Sequence, residues 1–497
     1  MFAIKINKEN YEYDIQALVK SFYPEEQVAV LLPESREDKR RELEGKVRIC
    51  LNVEGDAAEL TVDGRVYRWE KPEGDGSKGD FKRFLYEVLR KETGKELPWG
   101  NLIGIRPTKI AYSLLGEGKS RQEILEHYSR EYYTSAEKAE LAVDIARRER
   151  KLLAGIHYRD GYSLYIGIPF CPTTCLYCSF TSYPIGGYRK QVDTYVDCLV
   201  KEMEYVAEGC RHKILDSVYI GGGTPTTLEP GQLDRLLTKL EGLFDLQQVK
   251  EFTVEAGRAD SITEEKLRVL HRHGVTRISV NPQTMKQETL DMIGRRASVK
   301  QVEEAYALAR RVGFDNINMD LILGLPGEVE ADVQHTIDRV VELAPDSLTV
   351  HSLAIKRASK LNQWIQENGV STLRNTDETM KIAAEGARKL GLEPYYLYRQ
   401  KNMSGNFENV GYAREDRYGL YNILIMEEKQ SIIALGAGSI SKRVYPDGRI
   451  ERCENVKDVA QYIERIDEMT ERKRQLFHGF FDGSGDIGDS CIRENGG

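Results

Sequence analysis

Short runs of alternating apolar and polar residues open the chain, around Phe2 to Asn7, Val28 to Leu32 and Val47 to Val53, and read as strands. Between Leu60 and Trp69 the pair Asp63-Gly64 interrupts alternating β-formers, a pattern that predicts a type I′ hairpin. Phe81, Phe84, Leu85 and Val88 then share one face at helical spacing, and Thr134 with Glu137 predicts a capping box before a charged helix that runs to Leu153. Together these elements predict an α+β domain over residues 1–155.

From Tyr162 the rhythm changes to short apolar runs separated by amphipathic segments, the form taken by repeated βα units around a parallel sheet. The runs are Ser163 to Ile168, Ser217 to Ile220, Phe252 to Glu255, Arg277 to Val280, Asn316 to Leu321 and Ser347 to His351. After the first of them, Val192, Tyr195, Val196, Leu199, Met203 and Val206 make one buried helical face. Ser261 with Glu264 and Ser298 with Gln301 predict helix starts, and Gly274 and Gly313 predict stops. The class is α/β: residues 156–370 predict an open, partial (β/α)6 barrel, whose working residues belong at the carboxyl ends of its strands. Residues 371–497 predict a mixed, substrate-covering extension. It has a helix from Thr376 to Gly391, aromatic and basic text (Tyr395, Tyr396, Tyr398, Arg399, Lys401), a glycine-rich turn, a last charged helix and a flexible tail with Gly483, Gly485 and Gly488.

A chain of 497 residues, 40% of them hydrophobic, can bury more than one core. Its net charge of −8 gives no general attraction to nucleic acid or anionic membrane. No basic leader precedes an apolar segment, and no apolar run reaches the roughly 18 residues of a membrane span, so a soluble, cytoplasmic protein is expected. Eight cysteines are too few for a disulfide scaffold in so long a chain. Five of them (Cys50, Cys198, Cys210, Cys453, Cys491) are scattered and read as ordinary thiols, whereas Cys171, Cys175 and Cys178 crowd directly after a strand.

That spacing, Cys-x3-Cys-x2-Cys, suits a 4Fe-4S cluster with one iron lacking a protein ligand. The open iron can chelate the amino and carboxylate groups of S-adenosylmethionine (SAM), so that an electron from the reduced cluster cleaves its C–S bond. The resulting 5′-deoxyadenosyl radical takes hydrogen from an unactivated carbon, chemistry that belongs to the cofactor and that the protein positions. A zinc knuckle would need a fourth Cys or His at zinc spacing, and none stands nearby. Tyr177 is suited to shielding the cluster or an adenine from water. Gly221-Gly222-Gly223-Thr224-Pro225 follows the second strand, where successive glycines let backbone approach a ligand and present N–H groups to it. Glu255, Gln283 and Asp320 are polar groups at or near three other strand ends. His351, also at a strand end, reads as a structural hydrogen-bonder.

The texts YIGIPFCPTTCLYCSF, YIGGGTPTTL and NMDLILGLPGE resemble the radical SAM family of oxygen-independent coproporphyrinogen III oxidases (coproporphyrinogen dehydrogenases). The resemblance covers residues 160–440, and PYYLYRQKNMSGNFENVGYA is similar to the N-terminally extended bacterial branch. It implies that Tyr165 and the three cysteines form the catalytic group, with Tyr165, Tyr177, Gly222, Gly223, Thr224 and Glu255 around a first SAM. Gln283, Arg295, Asp320, Ala354 and Ile440 would stand near a second SAM, so one or two SAM molecules are expected. The implied activity belongs to porphyrin and heme biosynthesis. Two propionates of coproporphyrinogen III become vinyls, giving protoporphyrinogen IX. Its implied partners are a tetrapyrrole substrate and a flavodoxin- or ferredoxin-type electron donor. A substrate with four carboxylates needs cations, for which Arg258, Arg399 and Lys401 are the candidates.

Two positions depart from the oxidase pattern: Phe180 stands where a fourth cysteine is usual, and Gly167 where a histidine precedes Ile-Pro-Phe-Cys. With the sequence running only a short way past Phe481, the oxidases' longer C-terminal helical domain is expected to be missing. Phe180 also resembles related heme-binding proteins, so a heme chaperone is an alternative reading. Another is a radical SAM enzyme on RNA, whose contact would be Ile105-Arg106-Pro107-Thr108-Lys109; these residues also suit a plain helix start.

Overall fold

A computed structural model describes residues 1–72, 78–104, 106–356, 359–369, 372–400 and 407–481. Ile105, Lys401, Cys491 and the tail glycines Gly483, Gly485 and Gly488 lie outside the described residues. No helix among those described is long and apolar enough to cross a membrane.

The first domain is built on five strands, β1 (Phe2–Ile6), β2 (Val28–Leu31), β3 (Val47–Glu54), β4 (Ala57–Val62) and β5 (Arg65–Glu70), in the order β2-β1-β3-β4-β5. Asp63 and Gly64 join β4 to β5 with φ of 45° and 84°, the paired positive values that a type I′ turn requires. Phe81, Leu85 and Val88 of helix Lys78–Thr93 bury into the sheet face beside Ile15, Leu18 and Phe22 of helix Glu12–Phe22. The helix before residue 155 is capped by Ser135, not Thr134: the Ser135 side chain accepts from Lys138 N, while Thr134 Oγ1 donates to Trp99 O at 3.5 Å. Likewise Thr263, not Ser261, caps helix Glu264–Arg272; Ser261 turns its hydroxyl to Arg258 O. In both places two hydroxyl residues stand close together, and only the backbone path decides which one meets the helix N–H groups. Ser298 with Gln301 forms the expected capping box, and Gly313 ends that helix at φ 119°.

The second sheet has eleven strands. In chain order, β6 (Gly161–Ile168) is followed by a separate two-strand pair, β7 (Phe170–Cys171) and β8 (Tyr183–Pro184). The large sheet continues with β9 (Ile214–Gly222), β10 (Glu251–Glu255), β11 (Arg277–Ser279), β12 (Ile317–Leu323) and β13 (Ser347–Ser352). It is completed by β14 (Glu393–Tyr398), β15 (Asn409–Ala413), β16 (Ser431–Leu435), β17 (Ile440–Val444) and β18 (Ile450–Glu454). The spatial order is β14-β15-β13-β12-β11-β10-β9-β6-β16-β17-β18. The six strands expected from the apolar runs form its parallel middle. Strand β16 adds a seventh parallel member beside β6, and β14, β15, β17 and β18 extend both sides antiparallel. Residues after 371 therefore extend the same sheet. All five residues of β16 are buried, a short continuous apolar run that periodicity cannot tell from a buried helix segment.

Helix Val192–Gly209 buries the six residues that its pattern assigns to the core, and a seventh, Glu202, whose side chain is fully buried. Its carboxylate meets Lys473 Nζ at 2.5 Å, Tyr462 Oη at 2.6 Å, Asn455 Nδ2 at 2.7 Å and Gly436 N at 2.8 Å. Four donors satisfy one buried charge, and they tie the last helix, the β18 exit and the loop after β16 to the outer helix layer. A buried pair this well bonded is costly to break from one side. Lys473→Met is expected to lower the unfolding free energy by about 3–5 kcal/mol. In denaturant titrations, adding Glu202→Gln to Lys473→Met should cost less than the sum of the single variants.

Candidate functional site

The cysteine loop leaves β6 at Ile168 and is held from one side by the glycine turn that ends β9. Gly223 N donates to Ile168 O and Thr224 N to Phe170 O, each at 2.7 Å. A Cβ on Gly223 would stand 2.5 Å from Phe170 O, and Gly222 has φ of 103°, so both positions require glycine. The sequence expectation that this turn presents free N–H groups to a ligand is thus corrected for Gly223 and Thr224: theirs are spent on the cysteine loop.

Each thiol has its own polar neighbour. Cys171 Sγ lies 3.4 Å from Thr224 Oγ1, Cys175 Sγ accepts from Arg258 Nη1 at 3.4 Å, and Cys178 Sγ lies 3.8 Å from Ser182 Oγ. Burial pushes the Cys171 thiol up; the Thr224 hydroxyl opposes this, and the neighbouring Cys178 and Cys175 add to it. Packing thiolates together without a compensating charge is unfavourable, and bound iron removes that cost. Among the described residues no three His, Cys, Asp or Glu side chains gather around one point as ligands of a single ion. Three thiols on one loop, with O–H and N–H donors beside their sulfurs, fit the cysteine ligation of an iron–sulfur cluster. Tyr177 and Leu176 pack on the apolar group of Leu290, Ile293, Ile322, Leu325 and Leu353, which covers one side of the loop.

Beyond the cysteines, the carboxyl ends of the strands carry tyrosines and carboxylates. Tyr165 of β6, Tyr219 of β9 and Tyr421 stack with centroids 4.5 to 6.2 Å apart. The Tyr219 hydroxyl donates to Glu255, and Asn281 Nδ2 reaches Glu255 Oε2 at 3.4 Å. Burial pushes the Glu255 carboxyl up to about 7, with Asp320 adding to the rise and Tyr219, Arg277 and His351 opposing it. Asp320 is half-buried, and although burial acts to raise it, bonds from His351, Asn318 and Thr349 hold it below its ordinary range. Asn318 Nδ2 donates to Asp320 Oδ1 at 2.7 Å, and His351 Nε2 stands 3.8 Å from Oδ2. Of two neighbouring carboxyls, one therefore keeps its proton more readily than the other. The arrangement offers a planar ligand an aromatic wall, and offers N–H or O–H groups a set of acceptors.

Gln283 sits at φ 69° with its N–H bonded to Asp320 O at 2.9 Å, and among the described residues its buried Oε1 has no partner. Arg295 is buried, donates to Asn281 O, and likewise has an unpartnered Nε. Gln283 Oε1 beside Asp320 and Arg295 Nε near Tyr177 and Cys175 are open polar atoms that fit a ligand with matching groups. Ala354 follows β13 and is half-buried, whereas Ile440 opens β17 and is 43% exposed.

The expected substrate cations are corrected. Arg258 is 4% exposed and serves the cysteine loop, bonding Thr173 Oγ1 at 3.0 Å and Asp260 Oδ2 at 2.7 Å besides Cys175. Arg399 is buried against the first domain, donating to Leu102 O at 2.5 Å. Arg106, the first cation of the basic text proposed for RNA, donates to Met426 O and pairs with Glu428 at 3.0 Å, while Pro107 and Thr108 begin helix Thr108–Gly116. Sequence reasoning missed Tyr219, Asn281, Tyr421 and Tyr398, while His351, read as a structural hydrogen-bonder, meets Tyr398 and Asp320. The first two stand at ends of recognised strands and were findable; Tyr421 and Tyr398 come from elements whose place beside the barrel is set by tertiary packing.

Three comparisons bear on this geometry. The model of the radical SAM superfamily matches residues 165–340. The oxygen-independent coproporphyrinogen-III oxidase-like protein HemZ of Bacillus subtilis is 40% identical over 400 residues, 80% of this chain and 80% of that protein. The heme chaperone HemW of Bacillus subtilis is 36% identical over 62% of this chain and 76% of its own. Among solved structures, coproporphyrinogen III oxidase (HemN) of Escherichia coli, a radical SAM enzyme, aligns with a TM-score of 0.51 at 23% identity, over 64% of this chain and 72% of that one, a likeness of fold.

The raised value of Glu255 has a pH consequence. Its stabilising contribution is fully present below its ordinary value of 4.5, falls as the unfolded chain ionises, and is lost by about pH 7. Glu255→Gln cannot ionise, so the Tm of wild type minus that of the variant should decline across this window. A difference that is flat with pH would refute the burial of a protonated carboxyl.

Proposed function

The chain belongs to the radical SAM superfamily and, within it, to the family of oxygen-independent coproporphyrinogen III oxidase-like proteins, and we propose that it oxidatively decarboxylates two propionates of coproporphyrinogen III to vinyls. The product is protoporphyrinogen IX. The observation that carries the reading is the meeting of three loop thiols, the glycine turn of β9 and the tyrosine- and carboxylate-lined strand ends at one end of the parallel sheet.

A 4Fe-4S cluster held by Cys171, Cys175 and Cys178, with SAM at its remaining iron, would supply one-electron removal of hydrogen from an unactivated carbon. The chain's own contribution is positional and electrostatic. Thr224, Ser182 and Arg258 place hydrogen-bonding groups beside the sulfurs, which tunes the ligands' charge. Leu176 and Tyr177, seated in their apolar group, exclude water from one side of the loop. Tyr165, Tyr219 and Tyr421 give a flat face for an adenine or pyrrole, with Glu255 accepting hydrogen bonds at its edge. Gln283, Arg295 and Asp320 offer polar contacts deeper along the strand ends. Each propionate would give up a hydrogen atom from its β-carbon to the radical chemistry that SAM supplies, then lose CO2 as one electron passes to an external one-electron acceptor, which leaves the vinyl. An electron donor of flavodoxin or ferredoxin type would reduce the cluster.

Two observations favour a second reading, a heme-binding chaperone. Phe180, two positions after Cys178, is 73% exposed, and two of the three expected substrate cations are committed elsewhere. The heme chaperone relative adds weight to it.

One experiment separates the two. Reconstituted, reduced protein kept anaerobic with SAM and coproporphyrinogen III should form protoporphyrinogen and 5′-deoxyadenosine together, and Cys175→Ala should form neither. SAM cleavage that leaves the porphyrin unchanged, accompanied by stoichiometric heme transfer, would decide for the chaperone.

A further inference from the structure

Trp99 and Lys138, from the segment between the amino-terminal sheet and β6, meet the strand-end region at a buried carboxylate. Glu408, 1% exposed and immediately before β15, accepts from Trp99 Nε1 and from Lys138 Nζ, each at 2.7 Å, and both donors belong to residues 1–155. Its own carbonyl accepts from Ser352 Oγ at 2.9 Å. The next residue, Asn409, accepts from Ser352 N at 2.9 Å and donates to Tyr398 O at 3.3 Å. Arg399, just after β14, grips the same segment, with its guanidinium 5.8 Å from the Trp99 ring and bonded to Leu102 O. Trp99 and Lys138 thus hold the residues adjoining Tyr398 on one strand and His351 on another. Those two side chains face each other, Tyr398 Oη 3.4 Å from His351 Nδ1, and His351 Nε2 points to Asp320.

We propose that Trp99 and Lys138 are positioning residues for the strand-end site, fixing Tyr398 and His351 against Asp320, so that the segment between the amino-terminal sheet and β6, which packs in the core of the large sheet, completes the site. The physical ground is the buried charge. With both donors in place Glu408 is satisfied in a low-dielectric setting. Without one of them it must find water or another donor, and β15 with its partner Tyr398 moves to allow it. The inference rests on the reading that substrate reacts at these strand ends.

The test is nitrogen NMR of histidine-labelled holoenzyme at a fixed pH, with the His351 signals assigned by their loss in His351→Gln. In Lys138→Met and in Trp99→Phe the His351 Nδ1 and Nε2 resonances should shift. In Arg121→Gln, which breaks an ion pair with Asp144 inside the first domain, they should stay in place. Folded variants with wild-type His351 signals would overturn the proposal. Should Lys138→Met fail to fold, Trp99→Phe decides alone, because it removes one N–H and keeps an aromatic ring. Turnover should fall with kcat, by up to about a hundredfold, more than through KM, and Lys138→Arg should restore part of it. The spectra need no substrate. A wrong porphyrin reading would therefore show in wild-type turnover, and wrong positioning only in the variants' spectra.

Discussion

Two backbone hydrogen bonds, Gly223 N to Ile168 O and Thr224 N to Phe170 O, set the terms for the rest of this molecule. They fasten a loop that must carry three thiols to a strand end that must stay rigid. They form only because no Cβ separates the two backbones. The parallel sheet supplies the rigidity: β6 is paired on both sides, by β9 and by β16, so the point from which the cysteine loop departs cannot shift without breaking two ladders. The glycine turn is thus a clamp on the ligand loop, and its third member brings Thr224 Oγ1 to Cys171.

Charge is distributed with the same economy. Two cations near the cysteines have partners within the protein, Arg258 with Cys175, Thr173 and Asp260, and Arg295 with the Asn281 carbonyl, while Lys356 stands over the Phe180 ring. What faces the space above the strands is aromatic and acidic, with one carboxyl biased toward its protonated form and its neighbour toward the ionised one. Such a surface receives hydrogen-bond donors and flat rings, as SAM and a tetrapyrrole's pyrrole N–H groups both provide. Arg258 and Arg399, bonded within the protein, leave the carboxylates of the proposed substrate to be met by other groups.

The two ends of the chain buttress this centre from opposite sides. Toward the amino terminus, Lys138 and Trp99 converge on Glu408 at the strands beyond β13. Toward the carboxyl terminus, Lys473, Tyr462 and Asn455 converge on Glu202 and secure the loop after β16, where Gly436 N is a fourth donor. In each case a buried carboxylate is the meeting point. A satisfied buried charge tolerates few arrangements, and it locates an element more tightly than apolar contact does.

Features that depend on neighbours along the chain are legible in the residue pattern. The six parallel strands show as apolar runs, the buried face of helix Val192–Gly209 as a 3.6-residue rhythm, the Asp63-Gly64 turn as a dipeptide, and the three-thiol loop as a cysteine spacing. Local pattern could not choose between Thr134 and Ser135 as a cap, because both carry the needed hydroxyl and the backbone path alone separates them. Nor could it place β16 as the partner of β6, more than 260 residues earlier, or reveal that Arg258, Arg399 and Arg106 spend their charge inside the protein. Only the tertiary structure decided these. Pairing of distant strands and neutralisation of buried charge depend on which surfaces meet in space, and a side chain's type fixes what it can bond to but not what it will find there.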